Sequence, residues 1–197
     1  MAARTWVIFD YGCVISSPQP PEDLAALAAT AGSPLPRFRE AYWAPRHDYD
    51  LGELTAEAYW LIVACQLGRS WDVRTTAELV RLDIASWTHL QPGSIRLIED
   101  VAAAGHRLAM LSNATHEVAA SVAALPVASY FEHLLFSCHL RAAKPDPRCF
   151  RAALARLDAE PASVVFIDDR PENVAAAADL GIHAIQFNDP QAVRSML

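Results

Sequence analysis

The chain has 197 residues, 53% of them hydrophobic and 20% charged, which is material for one ordinary domain with a modest insertion and excludes disorder. The formal net charge of −7, with no Lys/Arg block, argues against nucleic acid and anionic membrane surfaces as partners. No run approaches the ~20 apolar residues of a membrane span, and the opening MAARTWVIFDYG is too poor in apolar residues for a secretion signal, so a soluble, cytoplasmic protein with a small-molecule partner is expected.

Five short apolar runs read as strands: Thr5–Phe9, Arg107–Leu111, His133–Phe136, Ser163–Ile167 and His183–Phe187. They lack polar alternation, as do strands covered on both faces. Between the later runs lie helical segments at Pro92–Ala104, Pro147–Leu157 and Pro171–Leu180. Each begins with Pro, and the first and third stop at Gly105 and Gly181, the usual asymmetry of helix ends. Strand and helix in alternation mean right-handed βαβ units and a parallel sheet.

The first interval breaks this rhythm. A crossover between parallel strands needs only about a dozen residues, yet the stretch from Ser17 to Leu90 intervenes. It carries helical patterns at Glu22–Ala31, Leu35–Trp43, Ala56–Leu67 and Val73–Trp87. Thr55 is placed to cap the third of these, because its hydroxyl can accept a first-turn N–H. Four of the five tryptophans lie here; they read mostly as core, with one available to face a substrate. The expected organisation is an α/β core of residues 1–16 and 91–197 with a helical cap of residues 17–90, the Pro18, Pro20 and Pro21 cluster acting as hinge.

Polar residues punctuate the C-terminal ends of successive strands: Asp10 after the first, Ser112-Asn113 after the second, Lys144 a short loop after the third, and Asp168-Asp169 after the fourth. In an open parallel sheet this edge is where ligands bind. Asp10, Asp168 and Asp169 would converge, and three carboxylates so close repel unless a cation lies among them. Mg²⁺ suits such a site, since it takes one or two carboxylates and keeps waters for a phosphate. Lys144 adds a second positive charge, and Ser112 with nearby backbone N–H groups adds donors. The sum is a pocket for a tetrahedral oxyanion beside a carboxylate nucleophile.

The segments Val7–Val14 (VIFDYGCV), Leu111-Ser112-Asn113, Lys144-Pro145-Asp146 and Phe166–Asn173 (FIDDRPEN) resemble, in order and spacing, the four motifs of the haloacid dehalogenase-like hydrolase superfamily. The helical insertion falls where that superfamily's type-1 caps are inserted, and Tyr49–Thr55 (YDLGELT) looks like the cap's substrate-facing turn. The resemblance implies a three-layer Rossmann-like core with strand order 3-2-1-4-5. It also implies that Asp10 attacks phosphorus to form an aspartyl-phosphate, that Ser112 and the Asn113 backbone hold phosphate oxygens, and that Lys144 neutralises nucleophile and phosphate. Mg²⁺ would be held by Asp10, the Gly12 carbonyl, Asp169, and Asp168 directly or through water.

One position departs from the pattern. Most phosphatases of this superfamily carry a second Asp two residues after the nucleophile as general acid and base, a role worth ~10²–10⁴-fold; here the residue is Gly12. Three readings follow: substrates whose leaving groups need little protonation, such as anomeric sugar phosphates or acyl phosphates; replacement by a water or a cap residue, with His47 and Asp48 as candidates; or a slow, vestigial enzyme. The expected activity is Mg²⁺-dependent hydrolysis of a small phosphorylated metabolite. The alternatives are a metal-independent 2-haloacid dehalogenase and a non-catalytic phosphate- or partner-binding protein, and monomer and homodimer are equally open.

The four cysteines are far apart with no CxxC, and read as reduced and mostly buried thiols rather than a zinc or disulfide framework. Cys13 reads as a small packing residue. His116 reads as a surface helix residue, and His133 and His139 as ordinary surface or boundary residues.

Overall fold

A computed structural model describes residues 6–194. Five parallel strands, β1 (Trp6–Phe9), β2 (Arg107–Ser112), β3 (His133–Phe136), β4 (Val164–Asp168) and β5 (His183–Gln186), form one sheet in the order β3-β2-β1-β4-β5. Thr5, expected to open the first strand, lies outside the described residues. The strand residues alternate between two cores. Val7, Phe9, Leu108, Met110 and Ile167 pack on α6 (Pro92–Ala103) and α7 (His116–Ala123). Trp6, Ile8, Ala109, Leu111, Val164 and Phe166 pack on α9 (Pro147–Leu157) and α10 (Pro171–Ala178). Burial on both faces is why these strands read as unbroken apolar runs.

Between β1 and α6 the chain builds α1 (Pro21–Thr30), α2 (Leu35–Trp43), α3 (Arg46–Asp50), α4 (Ala56–Leu67) and α5 (Val73–Ser86). Their apolar faces form a third core around Leu27, Phe38, Tyr42, Tyr59, Trp60 and Leu79. Thr55 caps α4 as expected, its side chain accepting from the Ala58 N–H at 3.2 Å, and Gly68 ends that helix in the left-handed conformation at φ 67°. Asp72 caps α5 in the same way, accepting from the Thr75 N–H at 2.7 Å. Two helices bear on the site and escaped the periodicity. The five residues of α3 offer too little length for an apolar repeat, and α7 is announced by its cap, since Thr115 accepts from the Val118 N–H at 3.2 Å.

The helical unit leaves and rejoins the sheet through two adjacent segments. Ser16 and Leu90 form an antiparallel bridge, the Gln91 N–H donates to the Ile15 carbonyl at 2.9 Å, and the Gln91 side chain donates to the carbonyls of Cys13 and Ser16. Ser94 Oγ adds a bond to the Val14 carbonyl at 2.5 Å. The loop carrying Asp10 is thus held from the segment that returns from the helices. Among the described residues no helix is long and apolar enough to cross a membrane.

Candidate active site

Register explains the convergence at the sheet edge. Phe9 pairs with Met110 on one side and Ile167 on the other, so Asp10, Leu111 and Asp168 are next in line. The Asp10 N–H continues the ladder by donating to the Ile167 carbonyl at 2.8 Å. A one-residue step beyond the last paired apolar residues therefore brings two carboxylates side by side, and Ser112 ends β2 beside Phe136 of β3.

Lys144 sits between the acids. Its Nζ is 2.7 Å from Asp10 Oδ1 and 2.6 Å from Asp168 Oδ2, and all three side chains are almost wholly buried. Burial disfavours the ammonium, but the two carboxylates outweigh it and hold the Lys144 pKa above the ordinary lysine range. For Asp10 burial wins: with Asp168 also repelling it and Lys144 opposing, its carboxyl is pushed up to about 7. Asp10 Oδ1 also accepts the Tyr11 N–H at 2.6 Å. Both donors approach the same oxygen, Oδ1, and not Oδ2.

The lysine loop is clamped by Asn113. Its side-chain NH₂ donates to the Lys144 carbonyl at 2.8 Å, and its oxygen accepts the Lys144 N–H at 2.9 Å. The Asn113 side chain is thus committed to positioning the lysine. Asp168 is saturated: Oδ1 accepts from the Arg170 N–H and Asn173 Nδ2, each at 2.9 Å, and Oδ2 from Lys144. It contributes charge from behind the cleft wall.

The cleft holds about 290 Å³ and is lined from the sheet side by Asp10, Gly12, Cys13, Ser112, Asn113, Lys144 and Asp169, with Trp43, Arg46, Asp50 and Trp87 facing them. Oxygens of Asp10, Asp168 and Asp169 all lie within 4.8 Å of one another. Burial, then the neighbouring Asp168, raises the Asp169 pKa. Three carboxylates against one ammonium leave an excess of two negative charges, and an all-oxygen donor set of that charge fits a hard divalent cation such as Mg²⁺.

His47 and Asp48 do not reach this cleft. Both are exposed on α3, whereas Arg46 and Asp50 of the same helix line it. Residues four apart share a helix face, and His47 and Asp48 turn away from it. Arg46 is buried, with Nε 2.9 Å from Asp50 Oδ1 and Nη1 donating to Asp83 at 3.1 Å and Tyr42 Oη at 2.5 Å. Its guanidinium carbon lies 5.1 Å from the Tyr42 ring centre and 6.0 Å from that of Trp87. Burial opposes its charge, but Asp83, Tyr42 and Asp50 more than offset that. The residue pair Arg46/Asp50, a salt bridge at i,i+4 spacing, was the available signal in the sequence. Cys13, expected to be packing, lines the cleft half-buried at φ 60°, and burial pushes its thiol up to about 11. Of the tryptophans, Trp60 is core while Trp43 and Trp87 reach the cleft.

A family model described as haloacid dehalogenase-like hydrolase matches residues 26–181. Acyl-CoA dehydrogenase family member 10 of Mus musculus is 35% identical over 101 residues, 51% of this chain and 9% of that protein. Flavin mononucleotide hydrolase 1 of Arabidopsis thaliana is 26% identical over 64% of this chain and 50% of its own length, and (S)-2-haloacid dehalogenase 4A of Burkholderia cepacia is 32% identical over 49% and 42%. The chain thus spans from about a tenth to half the length of these relatives. Among solved structures, a family enzyme of Bacteroides thetaiotaomicron, an aspartate-to-alanine mutant in complex with magnesium and inorganic phosphate, superposes with a TM-score of 0.78 at 17% identity over 95% of both chains, a likeness of fold. With a parallel sheet in the order 3-2-1-4-5, an acidic edge built around Asp10 and a family match over most of its length, this chain belongs to the haloacid dehalogenase-like hydrolases.

Proposed function

We propose that this hydrolase is a Mg²⁺-dependent phosphatase of a small phosphorylated metabolite, with Asp10 as nucleophile. The observation that carries the reading is Asp169, a third carboxylate beside an Asp10–Lys144–Asp168 group whose one cation and two anions already leave a net negative charge. Attack on carbon, as in a dehalogenase, has no use for that surplus charge. Asp10, the Gly12 carbonyl and Asp169 would hold the ion, with Asp168 adding charge behind them; when bound, it would offset their repulsion and the charge of the phosphate oxygens.

In the first half-reaction an Asp10 carboxylate oxygen bonds to phosphorus and the ester oxygen leaves with its electron pair. Lys144 Nζ offsets charge on the phosphoryl oxygens, and Ser112 Oγ and the Asn113 backbone would donate to them. In the second, water attacks phosphorus and releases inorganic phosphate, restoring the Asp10 carboxylate. No side chain at position 12 protonates the leaving oxygen, which favours substrates with good leaving groups, such as anomeric sugar or acyl phosphates. Trp43 and Trp87 offer apolar ring surface suited to a sugar face, and the small cleft suits a small metabolite.

A phosphate-release screen over sugar, acyl, nucleotide and aryl phosphates tests the activity. Turnover is expected to vanish with EDTA and return with Mg²⁺. Mg²⁺ at 100 times its Kd is also expected to stabilise the fold by about 2.7 kcal/mol, a rise in Tm that Asp169→Asn abolishes. Halide release from 2-haloacids with EDTA present would instead establish the dehalogenase reading, and phosphate binding without any turnover would make the chain a binding protein.

Gly12 gives a further test. A Cβ built there has Trp87 as its neighbour at 3.7 Å, ordinary contact, so a side chain can start at this position without a clash. Gly12→Asp is expected to raise kcat on alkyl phosphates by on the order of 10² relative to aryl phosphates, whose leaving groups need less help. An unchanged alkyl-to-aryl ratio would show that protonation is not what the native site lacks.

A further inference from the structure

Outside the cleft lining, the structure brings together a second set of donors of different chemistry. The side chains of His116, Cys138 and His139 each offer a ligand atom, and those atoms lie within 4.8 Å of one another. His116 opens α7, while Cys138 and His139 belong to α8 (Ser137–Leu140), the short helix that follows β3. No local pattern announces the grouping, because 21 residues lie between His116 and Cys138 and the spacing matches no finger motif.

The two elements are tied independently of any ion. Ser137 Oγ accepts the Ala114 N–H at 2.9 Å and lies 2.5 Å from the Asp50 carbonyl, to which it donates. The start of α7, the start of α8 and the end of α3 therefore share one hydroxyl. The imidazoles of His116 and His139 stand 5.3 Å apart between centres, and Phe136 meets the His139 ring edge-on at 5.9 Å. The thiol is buried behind two exposed imidazoles, so an ion would enter from the solvent side and meet the sulfur last.

We propose that His116, Cys138 and His139 form a second metal site, selective for Zn²⁺ and similar borderline-soft divalent ions. Two imidazoles and a thiolate are the donor set that such ions prefer, and Mg²⁺ prefers the all-oxygen cleft. Three protein ligands leave one position for water. On binding, the Cys138 S–H bond breaks, the sulfur keeps the electron pair for the metal and the proton passes to solvent. The site lies under the turn at Gly52. A Cβ at Gly52, which has φ +70°, would stand 2.8 Å from His116 Nε2 and 3.0 Å from the Cys138 carbonyl oxygen. An ion there ties α7 to α8 where the helical unit rests on the sheet core.

Co²⁺ titrated into the reduced, full-length chain tests this without reference to turnover. The expected result is one equivalent with tetrahedral d–d absorption and a thiolate-to-cobalt charge-transfer band, both displaced by Zn²⁺. Cys138→Ser should abolish the charge-transfer band, and His139→Ala, at an exposed position, should weaken binding roughly tenfold or more. Asp169→Asn should leave the spectrum unchanged, which separates this site from the acidic one. No charge-transfer band at saturating Co²⁺, a band that persists in Cys138→Ser, or one indifferent to His139→Ala would each overturn the proposal.

Discussion

Asp10→Asn is expected to lower phosphate release by roughly 10³-fold or more, the largest effect of any single change in this chain. Asparagine keeps the shape of the side chain and an oxygen for the Tyr11 N–H, and Lys144 keeps its partner Asp168 at 2.6 Å, so the loop and the fold are expected to persist. What disappears is the negatively charged oxygen that bonds to phosphorus. The comparison is phosphate release by wild type and variant at saturating substrate and Mg²⁺, with circular dichroism to show equal folding. Equal rates would remove Asp10 from the reaction and, with it, the proposed chemistry.

The second large effect is on stability. Lys144 is almost wholly buried between two carboxylates that are themselves buried. Its removal leaves like charges facing each other without a cation, and breaking a buried pair in this way costs about 3–5 kcal/mol. At about 2–4 °C per kcal/mol for a chain of this size, Lys144→Met is expected to lower Tm by roughly 6–20 °C. The loss should shrink when Asp168→Asn is added, because the second change removes one of the two stranded charges. Thermal denaturation of the two single variants and the double variant, in EDTA, measures this. A Lys144→Met protein as stable as wild type, or strictly additive effects, would mean that the three groups are not coupled.

Much of the site was legible before the structure because strand burial makes it so. A strand covered on both faces must be apolar throughout, and the first residue that can be polar stands where the strand emerges at the sheet edge. Asp10, Ser112 and Asp168 are those residues, and the parallel register places Asp10 beside Asp168 with Ser112 one step further along the neighbouring strand. The facing wall followed no such rule. In RHDYD the sequence offers five polar or aromatic residues with no apolar repeat, and His47 and Asp48 are as plausible as their neighbours until the helical turn of α3 directs Arg46 and Asp50 inward. Arg46 was illegible for a further reason: its charge is tolerated only because Asp83 and Tyr42, contributed by α5 and α2, meet it in the interior. The grouping of His116 with Cys138 and His139 depends likewise on a contact between two short helices that no local pattern announces.

By itself, then, the amino-acid order determined the sheet, its interruption by helices after the first strand, and the acids and lysine that gather at its edge. These follow from local periodicity and from which residues can leave a buried strand. Only the tertiary structure decided which helical side chains face those acids, which oxygen of Asp10 takes Lys144 and the Tyr11 N–H, and which distant histidines meet a buried thiol. Such facts depend on contacts between segments far apart in the chain, where packing and the pairing of buried charges set the geometry and periodicity is silent.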